Sequence, residues 1–353
     1  MSNYKLQRIQ QQIRQGLPFV WFKRAGDHQV NIMLQKDDCF HTTQNQPHQS
    51  GFVVAPFEKE HPVLFYPKDQ CDSFSVELWT SQWTKIKPRE TASSDQQVFE
   101  SQVNKAIEVM KNSDLEKVVL SRSVAYDMPK MDYCAAFSAL AQAYPNTFTY
   151  ALWHPQLGFW MGATPERLAQ VDKGILKTVA LAGTQSWDPS NFLEWSAKER
   201  QEQEFVVKDI ASILEPYAKT WQQHPTTTVQ AGHLAHLKTK IDVELKDQWG
   251  HRVLTIAQQL HPTAAVCGWP RPESLALIRQ IETYQRDYYT GYLGPVDGAE
   301  GRLEFYVNLR CMKHDGKQVI LYAGAGLTKD SLPTAEYLET DEKLNTLRKI
   351  LFA

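Results

Sequence analysis

The stretch Thr147–Thr184, TFTYALWHPQLGFWMGATPERLAQVDKGILKTVALAGT, decides the architecture. TFTYALW and GFWMGATP are rich in aromatic and β-branched residues and read as strands, and AQVDKGILKTVALAGT reads as a hairpin. Strands joined by so few residues pair antiparallel, because a parallel pair needs a crossover of a dozen residues or more. The same texture runs outward in both directions. Toward the N-terminus, PFVWFKRAG, QVNIMLQ, GFVVAPF, PVLFYP and SVELWT are short strands broken by Gly, Pro, Asp and Asn. Toward the C-terminus, TGYLGPVDG, RLEFYVNLRCMK (ending near Arg310) and QVILYAGAGL are strands as well.

Helical periodicity interrupts these strands at Asn3–Gln15 (Leu6, Ile9 and Ile13 on one stripe), Gln97–Asn112, YCAAFSALAQAY, Phe192–Leu214, RVLTIAQQL, SLALIRQIE and a last segment through Glu336 and Glu339. Residues Lys85–Gln96 read as a polar linker around Pro88. The fold class expected is α+β, with large, mostly antiparallel β-sheets packed face to face and helices outside. The 353 residues suffice for one such domain, with a strand-rich N-terminal part (1–95) and a remainder (97–353) that carries every motif discussed below.

Composition excludes more than it assigns. With 38 Lys+Arg against 40 Asp+Glu, the formal charge of −2 offers no footprint for nucleic acid. No apolar run is long enough for a membrane span and no signal-type core follows the N-terminus, so a cytosolic chain is expected. Five scattered cysteines without a Cys-x-x-Cys read as reduced structural thiols. No P-loop, dinucleotide-binding Gly pattern, nucleophile elbow or His-Glu-x-x-His is present. Ala323-Gly324-Ala325-Gly326 reads as a small-residue turn whose backbone N–H groups suit an anion.

Two Glu-x-x-Glu pairs, Glu199/Glu202 in AKERQEQEF and Glu336/Glu339 in TAEYLETDEK, lie 137 residues apart. On helices, three-residue spacing puts each pair on one face. Brought together by a fold, they offer the oxygen donors that Mg²⁺ favours; by themselves, Glu-rich helices also serve as solvated faces.

Read in order, KVVLSR (Lys117–Arg122), GATPERL (Gly162–Leu168), ALAGT (Ala180–Thr184), KERQEQ, LHPTAAVCG (Leu260–Gly268), NLR (Asn308–Arg310), AGAG and EYLETDEK resemble the chorismate-utilising enzymes. That group holds isochorismate synthases, salicylate synthases, anthranilate synthase large subunits and aminodeoxychorismate synthases; the resemblance covers about residues 97–353. It implies chorismate as substrate and the following roles. Lys117 stands where water-using members have lysine and ammonia-using members glutamine. Water attacking C2 needs a base, and an amine serves only when neutral. Glu166 stands at the general acid for the departing C4 hydroxyl. Glu202 and Glu339 match direct Mg²⁺ ligands, and Glu199 and Glu336 match partners of metal-bound water. Arg310 and Lys343 match carboxylate-binding positions, with backbone donors from Gly324 and Gly326.

The resemblance also places Leu181, Gly183, Thr184, His261, Ala265 and Tyr289 around the ring, although a histidine ahead of Pro262 is equally a structural residue. Ala182 replaces the nucleophilic lysine of aminodeoxychorismate synthases. Ala265, where lyase-competent members carry threonine, argues for stopping at isochorismate; Tyr289 matches salicylate synthases instead. Isochorismate synthase is the implied activity, with salicylate synthase the rival, anthranilate synthase component I behind it, and a non-catalytic binding subunit the alternative of another class. No glutaminase subunit, nucleic acid or membrane partner is expected, and a monomer is.

Overall fold

The computed structural model describes residues 3–43, 49–93, 96–187, 193–231, 234–246 and 253–353. Two antiparallel sheets of ten strands each form the centre. In the first, the order runs from Gly268–Trp269 through Lys117–Asp127, Gln318–Leu327, Cys311–His314, Gly158–Thr164, Phe148–His154, Phe19–Lys23 and Gln29–Gln35 to Cys71–Glu77, with Glu90–Ser93 also paired on Lys117–Asp127. In the second it runs from Ala218–Gln223 through Leu234–Leu245, Ile175–Ser186, Arg167–Asp172, Arg302–Val307, Tyr292–Asp297 and Ser50–Ala55 to Leu64–Pro67 and His41–Thr42. Thr227–Ala231 pairs on Leu234–Leu245 as well. The expected face-to-face α+β arrangement is what the chain adopts. The N-terminal strands divide between the two sheets, four in the first and three in the second.

Strand alternation decides what each face does. On Lys117–Asp127, Val118, Leu120, Val124 and Tyr126 point outward to apolar clusters under the helices, whereas Val119 and Ser121 point toward the second sheet. Helices α1 (Asn3–Gln15), α2 (Gln96–Lys111) and α3 (Tyr133–Ala143) cover the outer side of the first sheet. Helices α4 (Ala197–Leu214) and α5 (Val253–Leu260) cover the second. Helices α6 (Arg271–Ile281) and α7 (Pro333–Leu351) return to the first. Between the sheets, Val20, Phe22, Val54, Leu152, Trp160, Leu293 and Tyr306 interdigitate as a third core. No helix among the described residues is long and apolar enough to cross a membrane. Cys71, Cys134, Cys267 and Cys311 are buried free thiols, and Cys39 is an exposed one.

Four expectations fail in instructive ways. Ala323–Gly326 is no turn: it lies inside strand Gln318–Leu327, paired with Val119–Arg122. RLEFYVNLRCMK is not one strand. It leaves the second sheet at Val307 and joins the first at Cys311, and Arg310 makes the transfer at a left-handed φ of 48°. Lys85–Gln96 is no free linker, since Ile86 bridges to Phe352 and Glu90–Ser93 joins a sheet. The long helix begins at Ala197, not Phe192, because Ser196 is its N-cap.

One buried ion pair ties the walls of the inter-sheet space together. Glu282 and Arg286, with side chains 3% and 2% exposed, join through Nε (2.9 Å) and Nη2 (2.5 Å). Arg286 also donates to the carbonyls of Val119 (2.7 Å) and Val266 (2.9 Å), and Glu282 accepts from Ser121 N (2.7 Å) and Oγ (2.8 Å). Breaking such a pair strands a buried charge and costs about 3–5 kcal/mol. Arg286→Met is expected to lower the urea-unfolding free energy by that order, and Glu282→Gln in the same chain to restore part of it. A loss below about 1 kcal/mol in the single variant would show that the pair does not hold these walls.

Candidate active site

The cavity between the sheets is walled by Val119, Tyr322, Ala323, Gly324 and Gly326 of the first sheet and by Leu181 and Ala182 of the second. The loop bearing Ala265 and Val266, the corner Tyr289–Thr290, Leu309–Arg310, and side chains from α4 (Glu202) and α7 (Lys343) complete it. Its floor explains the small residues of AGAG. A Cβ on Gly326 would lie 2.5 Å from Glu202 Oε1, and one on Gly324 would lie 3.0 Å from the Leu120 carbonyl. Small side chains here let a carboxylate and a strand approach each other across the sheet.

Lys117 opens its strand with a side chain shielded from solvent, and its Nζ lies 3.0 Å from Glu202 Oε1. Lys198 pairs with Glu336 at 2.6 Å, and Lys343 pairs with Glu339 at 2.6 Å while also donating to the Gly324 carbonyl at 2.8 Å. Three of the four glutamates singled out in the sequence therefore sit in lysine–carboxylate pairs around one cavity. Burial works against the charge of Glu202, but Lys117 more than answers it and holds the carboxyl below its usual range. Glu336 is the opposite case: burial, then the neighbouring Glu339, push it up to about 7. Glu199 points elsewhere, accepting from Ser196 N (3.0 Å) at the start of α4.

Glu166 follows strand Gly158–Thr164 and is locked by its backbone, with its carbonyl accepting from Val307 N at 3.0 Å. It has no ion pair within the described residues. Burial raises its carboxyl to about 7, against the lowering influence of Lys117, Lys343 and Arg310. An acid so tuned can give up a proton near neutrality. Arg310 Nη1 donates to Thr346 Oγ1 at 3.0 Å, leaving the rest of the guanidinium toward the cavity that it lines. Thr290 and Arg310 both hold left-handed φ values, 59° and 48°. Asn308 secures the first corner by accepting from Thr290 N (2.9 Å) and donating to the Tyr288 carbonyl (2.8 Å), and the Arg310 carbonyl accepts from Ala163 N at 3.2 Å. Strain of this kind, about 1–3 kcal/mol per residue, persists where the surroundings over-determine it.

Of the remaining residues expected here, Leu181, Ala265 and Tyr289 line the cavity. Tyr289 stacks on Tyr322 with ring centroids 5.3 Å apart. Gly183 takes φ 68° behind the wall, its carbonyl 3.0 Å from His236 Nδ1. Thr184 lies on the same strand, opposite His236; its side chain is outside the described residues. His261 is not part of the cavity. It is buried with Nε2 3.1 Å from the Phe57 carbonyl and its ring edge-on to Phe57 and Tyr292, and burial pushes its imidazole down to about 3. That is the structural alternative, produced by a histidine seated in an apolar contact behind Pro262.

Sequence reasoning missed three residues. His236 lines the cavity, and burial followed by Arg310 and Lys343 holds it near 3, hence neutral. Lys198 was quoted within AKERQEQEF but given no role, although it neutralises Glu336. Tyr322 bridges Tyr289 and Trp160 by stacking. Period-two alternation in HLAHLKTK, with the strand's partner identified, is the signal that would have found His236.

No three acidic, His or Cys side chains among the described residues converge as a ready-made metal cage. The donor set nonetheless fits a hard cation. Glu336 keeps one buried oxygen without a hydrogen bond, and Gly326 leaves open the approach to Glu202. Mg²⁺ needs only one or two carboxylates beside water and ligand oxygens.

The sequence model for chorismate binding enzymes matches residues 65–352. A salicylate-biosynthesis isochorismate synthase of Pseudomonas aeruginosa is 33% identical over 273 residues, which are 75% of this chain and 56% of that protein, so the chain spans little more than half of that relative's length. The vibriobactin-specific isochorismate synthase of Vibrio cholerae is 28% identical over 346 residues, 95% of this chain and 85% of that one. Among solved structures, the Bacillus anthracis protein assigned as a 2,3-dihydroxybenzoate-specific isochorismate synthase, DhbC, superposes with a TM-score of 0.82 at 26% identity, covering 97% of this chain and 99% of that one.

A raised carboxyl has a definite sign in stability. Glu166 is neutral in both folded and unfolded chains below pH 4.5; between 4.5 and about 7 only the unfolded chain ionises, which favours unfolding. The stability that the neutral buried carboxyl confers is thus full below 4.5 and lost as pH rises through about 7. Glu166→Gln is expected to match wild type in melting temperature at pH 4.5 and to exceed it at pH 8. Equal pH profiles for the two proteins would refute the raised carboxyl.

Proposed function

The chain belongs to the chorismate binding enzymes, and from that membership we propose that it is an isochorismate synthase, isomerising chorismate by adding water at C2 and releasing the C4 hydroxyl. The observation that carries this reading is a cavity lined by Glu166, a buried carboxyl near 7, with the shielded Lys117 just behind Glu202 and Gly326 of its wall. Lys117 must first shed the proton that its pairing with Glu202 favours; as the amine it then takes a proton from the water whose oxygen bonds to C2. The ring double bonds shift, the C4–O bond breaks, and Glu166 gives its proton to the departing hydroxyl. One water enters and one leaves, and the proton gained by Lys117 returns to Glu166 through solvent, so the net change is a relocated hydroxyl. Arg310 and Lys343 suit the two carboxylates of the substrate, one as a planar fork and one as a point charge.

The carboxylates of Glu202, Glu336 and Glu339 would hold Mg²⁺, with Glu199 a more distant candidate behind its cap; the cation would supply charge neutralisation for a ring carboxylate. Ala265 and Tyr289 are the positions that bear on the rival, salicylate formation with loss of pyruvate. Ala265 offers no hydroxyl there, which supports release of isochorismate. Water as nucleophile leaves no role for a glutaminase subunit.

Purified protein with chorismate and Mg²⁺ should give isochorismate by chromatography; salicylate plus pyruvate as the main products would replace this assignment with the rival. Lys117→Gln and Glu166→Gln should each lower kcat by about 10²–10⁴-fold, the usual contribution of general acid–base groups, while circular dichroism stays native. Near-normal turnover in either variant sinks its assigned role. Chelation with EDTA should abolish turnover and added Mg²⁺ should restore it; indifference to EDTA would remove the cation from the proposal.

A further inference from the structure

Beyond the cavity, on the far side of Glu166, a second hollow of about 500 Å³ opens to solvent. Pro165, Glu166, Leu181 and His236 line both spaces, so the two adjoin across these side chains. Its outer wall is the inner face of the second sheet, where Leu234–Leu245 pairs with Ile175–Ser186 and Lys240 and Lys238 lie opposite Val179 and Leu181. Period-two alternation puts Lys238 and Lys240 on the same face as His236, with Lys177 beside them on the neighbouring strand. Asn146 and Phe148 supply the facing side, so the hollow lies where the two sheets part.

The charges there are unusual for a face that elsewhere carries Val54, Leu293 and Tyr306. None of Lys177, Lys238 and Lys240 has an ion pair among the described residues. Asp242, on the same stripe, is turned to His224 at 3.1 Å, and Arg167 faces Glu304 at 4.0 Å and Gln170 at 2.7 Å. Lys238 is held below the ordinary lysine range by partial burial and then by repulsion from Lys240 and Arg167. Three lysines gathered beside a single carboxylate, Asp242 opposite Lys177, leave an excess of like charge that destabilises the free protein, and packing alone does not require it. A hollow of this size matches the usual range for small-molecule sites.

We propose that this hollow is an anion-capturing vestibule, in which Lys177, Lys238 and Lys240 collect a small dicarboxylate and pass it beside Glu166 into the cavity. The inference rests on the reading of the substrate as chorismate, which carries two carboxylates. A cluster of one sign in a concave wall raises the local concentration of the opposite ion and loses that effect with salt.

The test uses Lys177→Glu/Lys240→Glu, two exposed positions outside the catalytic machinery, with Lys177→Gln/Lys240→Gln as the milder version. Steady-state kinetics on chorismate at low and high ionic strength should show KM raised about tenfold in the Glu variant at low salt, kcat within twofold of wild type, and the difference shrinking at high salt. Calorimetric titration of chorismate into the same proteins should show the same loss of affinity. An unchanged KM and affinity in both variants overturns the vestibule while leaving isochorismate synthesis standing. Wild type that binds chorismate in a lysine-dependent, salt-sensitive way without isomerising it supports the vestibule and overturns the proposed activity. Absence of both binding and turnover overturns both.

Discussion

An ion taken out of water costs several kcal/mol unless an opposite charge stands beside it, and the space between the two sheets is arranged around that constraint. Glu202, Glu336 and Glu339 each have a lysine, and those lysines come from strand Lys117–Asp127, α4 and α7. Lys198–Glu336 therefore links helices that pack on opposite sheets, α4 on the second and α7 on the first, Lys117–Glu202 ties a first-sheet strand to α4, and Lys343–Glu339 lies within α7. Glu166 has no such partner among the described residues, and burial raises its affinity for a proton. Glu202 beside Lys117 is thus held as a charge, whereas Glu166, and Glu336 despite Lys198, are raised by burial to about 7.

Charge placement of this kind demands rigid walls, because a shift of an ångström changes which oxygen meets which nitrogen. Two devices supply them. The Glu282–Arg286 pair grips strand Lys117–Asp127 and the Val266 loop through their own backbone groups, and Arg286 lies over the Phe57 ring at 4.4 Å, which shields it further. Asn308 holds the crossover between the sheets, accepting from the Tyr150 hydroxyl at 2.6 Å while fixing Thr290 and Tyr288. The left-handed backbone at Thr290 and Arg310 is the local cost of turning the chain from one sheet to the other where side chains must face the cavity.

What could be read in the chain and what could not divide along physical lines. Hairpins, strand alternation at Lys117 and Val119, and the helical spacing of the glutamates are local properties, and each is legible in a few residues. The pairing of AGAG with Val119–Arg122 is not local. Small residues suit a turn and a close approach equally well, and only the partner strand and Glu202 decide between them. Residues 302–314 carry an unbroken strand pattern because both halves are strands, and nothing in their alternation marks the change of sheet at Arg310. His261 was placed near the ring by its motif, yet its carbonyl partner lies 204 residues away at Phe57. The roles of Lys198 and His236 depend in the same way on neighbours remote in sequence.

The paired and unpaired lysines differ in how far their fields reach. A lysine 2.6–3.0 Å from a carboxylate forms a dipole, and a dipole's field falls off faster with distance than that of a single charge. Lys117, Lys198 and Lys343 therefore act on a ligand only once it is among them. Attraction over a distance near the Debye length, about 8 Å at physiological salt, must come from charges that nothing nearby cancels. Lys238 and Lys240 meet that condition on the described surface leading to Glu166, Lys177 adds to them only in part because Asp242 lies opposite it, and the separation of the two sheets at that end gives them access to water. The same desolvation rule that forces pairing inside the cavity permits its absence at the mouth, where solvent bears the cost of the charge until an anion arrives.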